Sequence, residues 1–264
     1  MNKSRNLYYY FGRNEKHDYI ATPMDSCIIA GRTGAGKSTF IDSLLVRLIQ
    51  ETNPKDITIQ YHDCKGFESK LWTDSIPDGK CIPQLYRVTQ YDNSVTGDKN
   101  FKHLTVYLSS LYQEVQRRLD VCREQDAEQY LNLDTMSNSI LFIIDEYQYY
   151  VEEECKNDGW FEHVVRYIVE NSKKTGVYIM LCSQGTCPIS DGLVKEFPIR
   201  IVTPCDEKLS NLFIGNNAAY MDEARYGVVW VKNGKDYPTR LYVPFYPDTW
   251  IRKFVGYYSI WKQE

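Results

Sequence analysis

Gly31-Arg32-Thr33-Gly34-Ala35-Gly36-Lys37-Ser38 fits the pattern Gly-x-x-x-x-Gly-Lys-Ser at every position. Ahead of it runs Cys27-Ile28-Ile29-Ala30, a short apolar run that reads as a buried parallel strand. Behind it, Thr39 to Ile49 places apolar residues at helical spacing. Strand, glycine loop and helix, in that order, are the setting a phosphate-binding loop needs. The three glycines are expected to let the backbone wrap closely around a polyphosphate, where a Cβ would obstruct. The N–H groups of the loop and of the helix start, through Thr39, then face the anion with the helix dipole behind them. In this pattern Lys37 reaches the β- and γ-phosphates, and the Ser38 hydroxyl ligates magnesium (Mg2+).

Two later stretches extend the site. Ser139-Ile140-Leu141-Phe142-Ile143-Ile144 is a continuous apolar run that ends in Asp145-Glu146, as a central parallel strand delivering acids to a nucleotide would. Asp145 is expected to hold the magnesium, directly or through water, and Glu146 to polarise the attacking water as general base. Val177 to Cys182 is a further apolar strand, opened by Gly176 as a helix stop and closed by Ser183-Gln184. An amide both donates and accepts, so Gln184 suits a γ-phosphate sensor.

The rest of the chain alternates in the same manner. Leu7 to Phe11 is aromatic-rich and reads as a small edge strand, and the first long helix should stop near Pro54. Ile57 to His62 is a strand running into Asp63-Cys64-Lys65-Gly66, a turn placed either beside the ligand or at a neighbouring subunit, or simply a solvated turn. Thr73 to Pro83 is loop-like, and Leu85 to Thr89 is a strand. A helix from about Phe101 to Gln125 buries Leu104, Leu108, Leu111, Val115 and Leu119, with Arg117-Arg118 on its other face, a solvated face by default and a phosphate contact as the alternative. The acidic segment Glu152-Glu153-Glu154 leads to a helix around Trp160 to Lys174. Pro198 to Val202, Gly227 to Lys232 and Thr239 to Val243 are strands, and Asp206 caps a helix running through Phe213. Trp250, Phe254, Tyr257 and Trp261 recur at helical spacing in the last segment. The domain boundaries expected are an extension or edge strand over 1–23, the nucleotide domain over 24–243 and a packed helix over 244–264.

Bulk properties restrict the partners little. A chain of 264 residues buries a sizeable core without disulfides. Its eight cysteines include no Cys-x-x-Cys pair, so buried thiols in a reducing compartment are expected. A net charge of −4 gives no global basic field, and any nucleic-acid contact must come from a local surface. No leader-like start or membrane-length apolar run is present, which predicts a soluble, cytoplasmic protein.

Taken together the motifs resemble the motor domain of the FtsK/SpoIIIE/HerA family of P-loop ATPases, over about Met24 to Val243. The residues that carry the resemblance are Ile28 to Ser38, Phe142 to Glu146, the block Thr175 to Gln184, and Gly192 to Ile201 with its arginine strand. Glu114, Arg117-Arg118 and Glu128-Gln129-Tyr130 are similar to the helix and turn that precede the family's acidic strand. The resemblance implies an α/β, RecA-like fold with a mainly parallel central sheet flanked by helices. It implies ATP and Mg2+ as ligands, a homo-oligomeric ring, most often a hexamer, and double-stranded DNA driven through its pore, with a protein adaptor or portal as a further partner. A finger from the neighbouring subunit would come from Lys173, which stands where the family often has arginine, or from Arg200 or Arg166. The family's arginine after the sensor glutamine is Gly185 here, and its winged-helix domain and membrane anchor are not seen. These departures suit a small single-domain relative of the type mobile elements encode for DNA packaging or transfer. Two alternatives stand beside DNA translocation: a type VII secretion-like ATPase acting on protein, and a non-motor P-loop protein.

Overall fold

Every residue from Cys27 to Gly31 is buried, as the run of apolar residues requires of a strand covered on both faces. Cys27 and Ile29 point into one core and Ile28 and Ala30 into the other. The computed structural model describes residues 7–66, 68–90, 102–133, 138–154, 159–184, 188–224 and 226–261. In its first half these form β1 (Tyr8–Arg13), β2 (Tyr19–Pro23), β3 (Cys27–Gly31), α1 (Lys37–Glu51), β4 (Ile57–Asp63), α2 (Lys70–Thr73), β5 (Lys80–Cys81), β6 (Leu85–Gln90) and α3 (Lys102–Glu124). There follow β7 (Ser139–Asp145), α4 (Tyr147–Glu154), α5 (Trp160–Thr175), β8 (Val177–Gln184), α6 (Asp191–Glu196), β9 (Ile199–Val202) and α7 (Glu207–Ile214). The last elements are α8 (Ala218–Met221), β10 (Val228–Asn233), β11 (Thr239–Tyr242), α9 (Asp248–Tyr258) and β12 (Ile260–Trp261).

Ten strands make one mixed sheet in the order β2-β1-β11-β10-β9-β3-β8-β7-β4-β6. From β9 to β6 all neighbours are parallel, and the other strands join antiparallel. Helices α1, α2 and α9 cover one face, with Phe40, Leu44, Trp72 and Phe254 in that core. Helices α3 to α7 cover the other, through residues such as Leu108, Tyr147, Ile168, Leu193 and Phe213. The strand β3 therefore emerges mid-sheet between β9 and β8, and the carboxyl ends of β3, β8, β7 and β4 share one edge. Gly31 lies level with Gln184, and Asp145 level with both Cys182 and Asp63. Open parallel sheets bind ligands along that edge.

Several expectations need revision. β1 is not an edge strand: it lies between β2 and β11, and its Tyr9 and Phe11 are buried in the main core. The hairpin β1–β2 thus belongs to the same sheet as the nucleotide loop. The acidic residues Glu152 and Glu153 fall within α4, a helix the sequence pattern did not announce. Arg118 is buried and donates to the carbonyls of Asn138 and Thr175 at 2.9 Å each, so only Arg117 keeps the solvated role. The C-terminal aromatics form a ladder that starts at Tyr246, ahead of α9, and runs along the helix through Trp250, Phe254 and Tyr258, but the helix ends at Tyr258 and residues Ile260–Trp261 pair with β5. Gly185 lies outside the described residues.

Candidate active site

The glycines of the loop do not share one purpose. Gly34 and Gly36 take φ of 77° and 93°, the left-handed region where a Cβ is strained. Gly36 is also the N-cap of α1, and its carbonyl accepts the N–H of Phe40 at 2.9 Å. Gly31 has no such backbone. A Cβ there would lie 1.9 Å from Thr203 Oγ1 and 2.9 Å from Thr203 Cβ. That glycine is required by the residue following β9, a reason different from the close approach of phosphate. Sequence patterns cannot show it, because Thr203 is remote in the chain.

The loop hands directly to α1, whose first residue, Lys37, is buried. Its Nζ lies 2.5 Å from Asp145 Oδ1 and 2.8 Å from Glu146 Oε1. Asp145 is the last residue of β7, and its Oδ1 also accepts the N–H of Glu146 at 2.9 Å. Among the described residues its Oδ2 has only a long contact, 3.5 Å, from the Tyr61 hydroxyl of β4. Burial pushes the Asp145 carboxyl up to about 6, against the pull of Lys37. Burial alone would lower Lys37, but the two carboxylates outweigh it and hold the ammonium above the usual lysine value. Two buried acids and one buried cation leave formal negative charge where a phosphate would bind, so Lys37 must change partners for a nucleotide to enter.

Glu146 is fixed more tightly than a residue in an exposed turn. It takes a left-handed φ of 56°, unusual for a side chain of that size, and is buried. Gln184 Nε2 donates to its Oε1 at 2.5 Å, while Thr33 Oγ1 of the loop donates to Gln184 Oε1 at 3.1 Å. Gln184 thereby links the loop to the acid. A further amide, Gln148 Nε2 on α4, donates to Glu146 Oε2. Neither Gln148 nor Tyr61 was found from sequence. Their only signal is position, beside the acid in one case and one strand over in the other.

The remaining candidates lie apart. Asp63 is buried at the same edge, but its carboxylate accepts the N–H groups of Lys65, Gly66 and Ser69 at 2.9 to 3.0 Å. It therefore shapes the turn. Arg200, early on β9, donates to the carbonyls of Phe213 at 2.8 Å and Lys195 at 2.5 Å, which ties the ends of α7 and α6 to the strand. Lys173 sits in the last turn of α5, and its ammonium is 3.3 Å from Asp25 Oδ2, a buried carboxylate. Arg166 pairs with Glu196. Among the described residues none of the partners of these three belongs to the loop. Beside the loop, a cavity of about 360 Å³ separates Arg32 to Ala35 from Pro204, Tyr220 and Glu223.

A parallel sheet whose central strand feeds a phosphate loop, with a lysine, two strand-end acids and a strand-end glutamine converging on it, defines a RecA-like P-loop ATPase. The chain belongs to the FtsK/SpoIIIE family, whose model matches residues 8–169. It is 24% identical over 258 residues to a protein named DNA translocase FtsK from Borreliella burgdorferi, covering 92% of this chain and 30% of that one. The chain thus spans less than a third of that relative's length. Among solved structures it is similar to the cytoplasmic domain of the type VII secretion ATPase EccC of Thermomonospora curvata. That match has a TM-score of 0.72 and 16% identity, covering 97% of this chain and 32% of that one. It is equally similar to the pCW3 conjugation coupling protein TcpA, solved as a monomer with ATPγS, at TM-score 0.72 and 18% identity over 97% of this chain and 70% of that one. At these identities the structural likeness speaks for the fold. Among the described residues no helix is long and apolar enough to cross a membrane.

Proposed function

We propose that this chain is an ATP-driven motor domain that works in a homo-oligomeric ring, a hexamer, and translocates double-stranded DNA. The observation that carries the catalytic part is the convergence of Lys37, Asp145, Glu146 and Gln184 at the carboxyl edge of the sheet. Lys37 exchanges its carboxylate partners for the β- and γ-phosphate oxygens of ATP, which the backbone of Gly31, Arg32, Thr33, Gly34, Ala35, Gly36, Ser38 and Thr39 encloses. Glu146, released from the ion pair, accepts the proton of the attacking water. Gln184 senses the γ-phosphate and passes its presence to Glu146 through the same amide.

Ser38 and Asp145 fit Mg2+. An ion that keeps several waters and binds phosphates needs only one or two protein oxygens, and among the described residues Asp145 Oδ2 has no close partner beyond the 3.5 Å contact of Tyr61. Ser38 and Asp145 would hold such an ion, which would supply charge neutralisation to the bound polyphosphate.

DNA as the polymer is supported by the curated relatives, named DNA translocases; the similarity to EccC bears on the fold and does not favour protein. Among the described residues, the finger candidates Lys173, Arg166 and Arg200 have their ion-pair and hydrogen-bond partners away from the loop, which is compatible with a ring whose neighbour completes the site. Lys173 is exposed and only loosely paired, and so is a better trans finger than Arg200. ATPase rate with and without double-stranded DNA, measured together with oligomer mass, tests this reading. DNA-stimulated hydrolysis by a ring, lost in Glu146→Gln, is expected. Hydrolysis that ignores DNA, with no DNA bound at low salt, refutes the polymer, and capture of a protein substrate in its place would assign the secretion-like role. A stable monomer with ATP analogue and magnesium refutes the ring.

A further inference from the structure

Among the described residues Glu146 has three side-chain donors, and in the proposed function two of them turn to the nucleotide. Lys37 must leave for phosphate, and Gln184 is shared with Thr33 of the loop, so its position follows what the loop holds. The third, Gln148, comes from the first turn of α4, two residues beyond the acid. It is 6% exposed. Its Oε1 is buried with no hydrogen-bond partner among the described residues. Buried amides ordinarily have both ends satisfied, and here the desolvation of one end is tolerated for a single bond, from Nε2 to Glu146 Oε2. Its neighbours Tyr147 and Tyr150 are buried with their rings against Phe161, so packing alone gives no reason for an amide with one end unsatisfied at position 148.

We propose that Gln148 is a positioning residue for hydrolysis. It holds Oε2 of Glu146 after Lys37 has moved to phosphate, and so keeps the other carboxylate oxygen, Oε1, directed at the loop. The backbone of Glu146 is left-handed and does not by itself restrict the outer side-chain torsions. A neutral donor suits this task because it anchors the carboxylate without drawing off the proton-accepting charge as a second lysine would. The proposal rests on Glu146 being the general base.

The test measures kcat and KM for the wild type, for Gln148→Met, which keeps the length and loses the donor, and for Gln148→Glu, which keeps the shape. Binding of a fluorescent ATP analogue and thermal unfolding are followed alongside. For Gln148→Met, kcat should fall roughly 10- to 100-fold, the effect of one lost hydrogen bond to a charged group, with KM and analogue affinity within about threefold. Single-turnover rates in a Glu146→Gln background should change less than about twofold on adding Gln148→Met, because the residue acts through the acid. Wild-type kcat in Gln148→Met, or losses that multiply in the double variant, would overturn the proposal while leaving the ATPase reading intact. Should Gln148→Met fail to fold, Gln148→Glu decides: a loss of kcat at unchanged analogue affinity supports the role, and a wild-type rate overturns it. A wild type that binds the analogue and hydrolyses nothing refutes Glu146 as base, and this proposal with it.

Discussion

Replacing Lys37 with methionine should weaken the fold of the nucleotide-free protein as well as its activity. Lys37, Asp145 and Glu146 are 5%, 0% and 1% exposed, and the one ammonium serves both acids. Removing one member of a buried ion pair typically costs about 3–5 kcal/mol, because the other is left charged and desolvated. With about 2–4 °C per kcal/mol for a chain of this size, the melting temperature should fall by roughly 6–20 °C at pH 7.5. Acid should relieve the defect. Burial raises Asp145 from 3.8 to about 6, so between those values the folded state holds the proton more tightly than the unfolded chain. Its contribution to stability is therefore present below that window and is lost as pH rises through about 6. At pH 5 Asp145 is largely neutral and needs no counter-ion, so the deficit of Lys37→Met should shrink there. Thermal unfolding at pH 5 and 7.5 without nucleotide measures both values, and adding Asp145→Asn to Lys37→Met should recover part of the loss. A melting temperature within about 1 °C of wild type at pH 7.5, or a deficit that grows on acidification, would refute the reasoning.

Gly31→Ala should destabilise the fold by at least the roughly 1–3 kcal/mol of an overpacked core, since its Cβ would sit 1.9 Å from Thr203 Oγ1. Adding Thr203→Gly should restore stability in urea unfolding, whereas a pure phosphate role for Gly31 predicts no rescue. Arg200→Ala should lower stability by about 1–3 kcal/mol through the carbonyls of Lys195 and Phe213 it leaves unbonded. Activity regained on mixing Arg200→Ala with Lys37→Ala subunits would show instead that Arg200 acts in trans. Burial pushes Asp42 up to about 7, partly countered by the Trp72 indole N–H that donates to it at 2.7 Å. Its stabilising contribution should fade as pH rises from about 4 through 7, tryptophan fluorescence should titrate near 7, and Asp42→Asn should abolish that transition.

The parts of the fold legible in the sequence are those whose physics is local. Cys27 to Gly31, Ser139 to Asp145 and Val177 to Gln184 are apolar runs too continuous for one-sided strands, and each is buried on both faces. The caps were equally readable: Gly176 ends α5 in a left-handed conformation, and the Asp206 side chain accepts the N–H of Leu209 at the start of α7. Helix α4 was not, because Tyr147 to Glu154 has aromatic and acidic residues without a clear apolar period, and its place is set by packing against β8 and Phe161. Arg118 reads as solvated for the same kind of reason: beside Glu114 of its own helix, it bonds the carbonyls of Asn138 and Thr175, which other elements bring to it.

By itself the sequence announced the loop and its lysine, through the glycine pattern between a strand and a helix, and the two acids and the glutamine, at the ends of two apolar strands. The tertiary structure alone decided how they meet. Lys37 and Asp145 are 108 positions apart and Thr33 and Gln184 are 151, and only the strand order β9-β3-β8-β7 sets them side by side. It also decided what the nearby residues are for: Gly31 makes room for Thr203, Asp63 shapes its own turn, and Gln148 reaches back to Glu146. Residue type follows from local chemistry, which a pattern records. Partnership follows from strand register and burial, which only the folded chain contains.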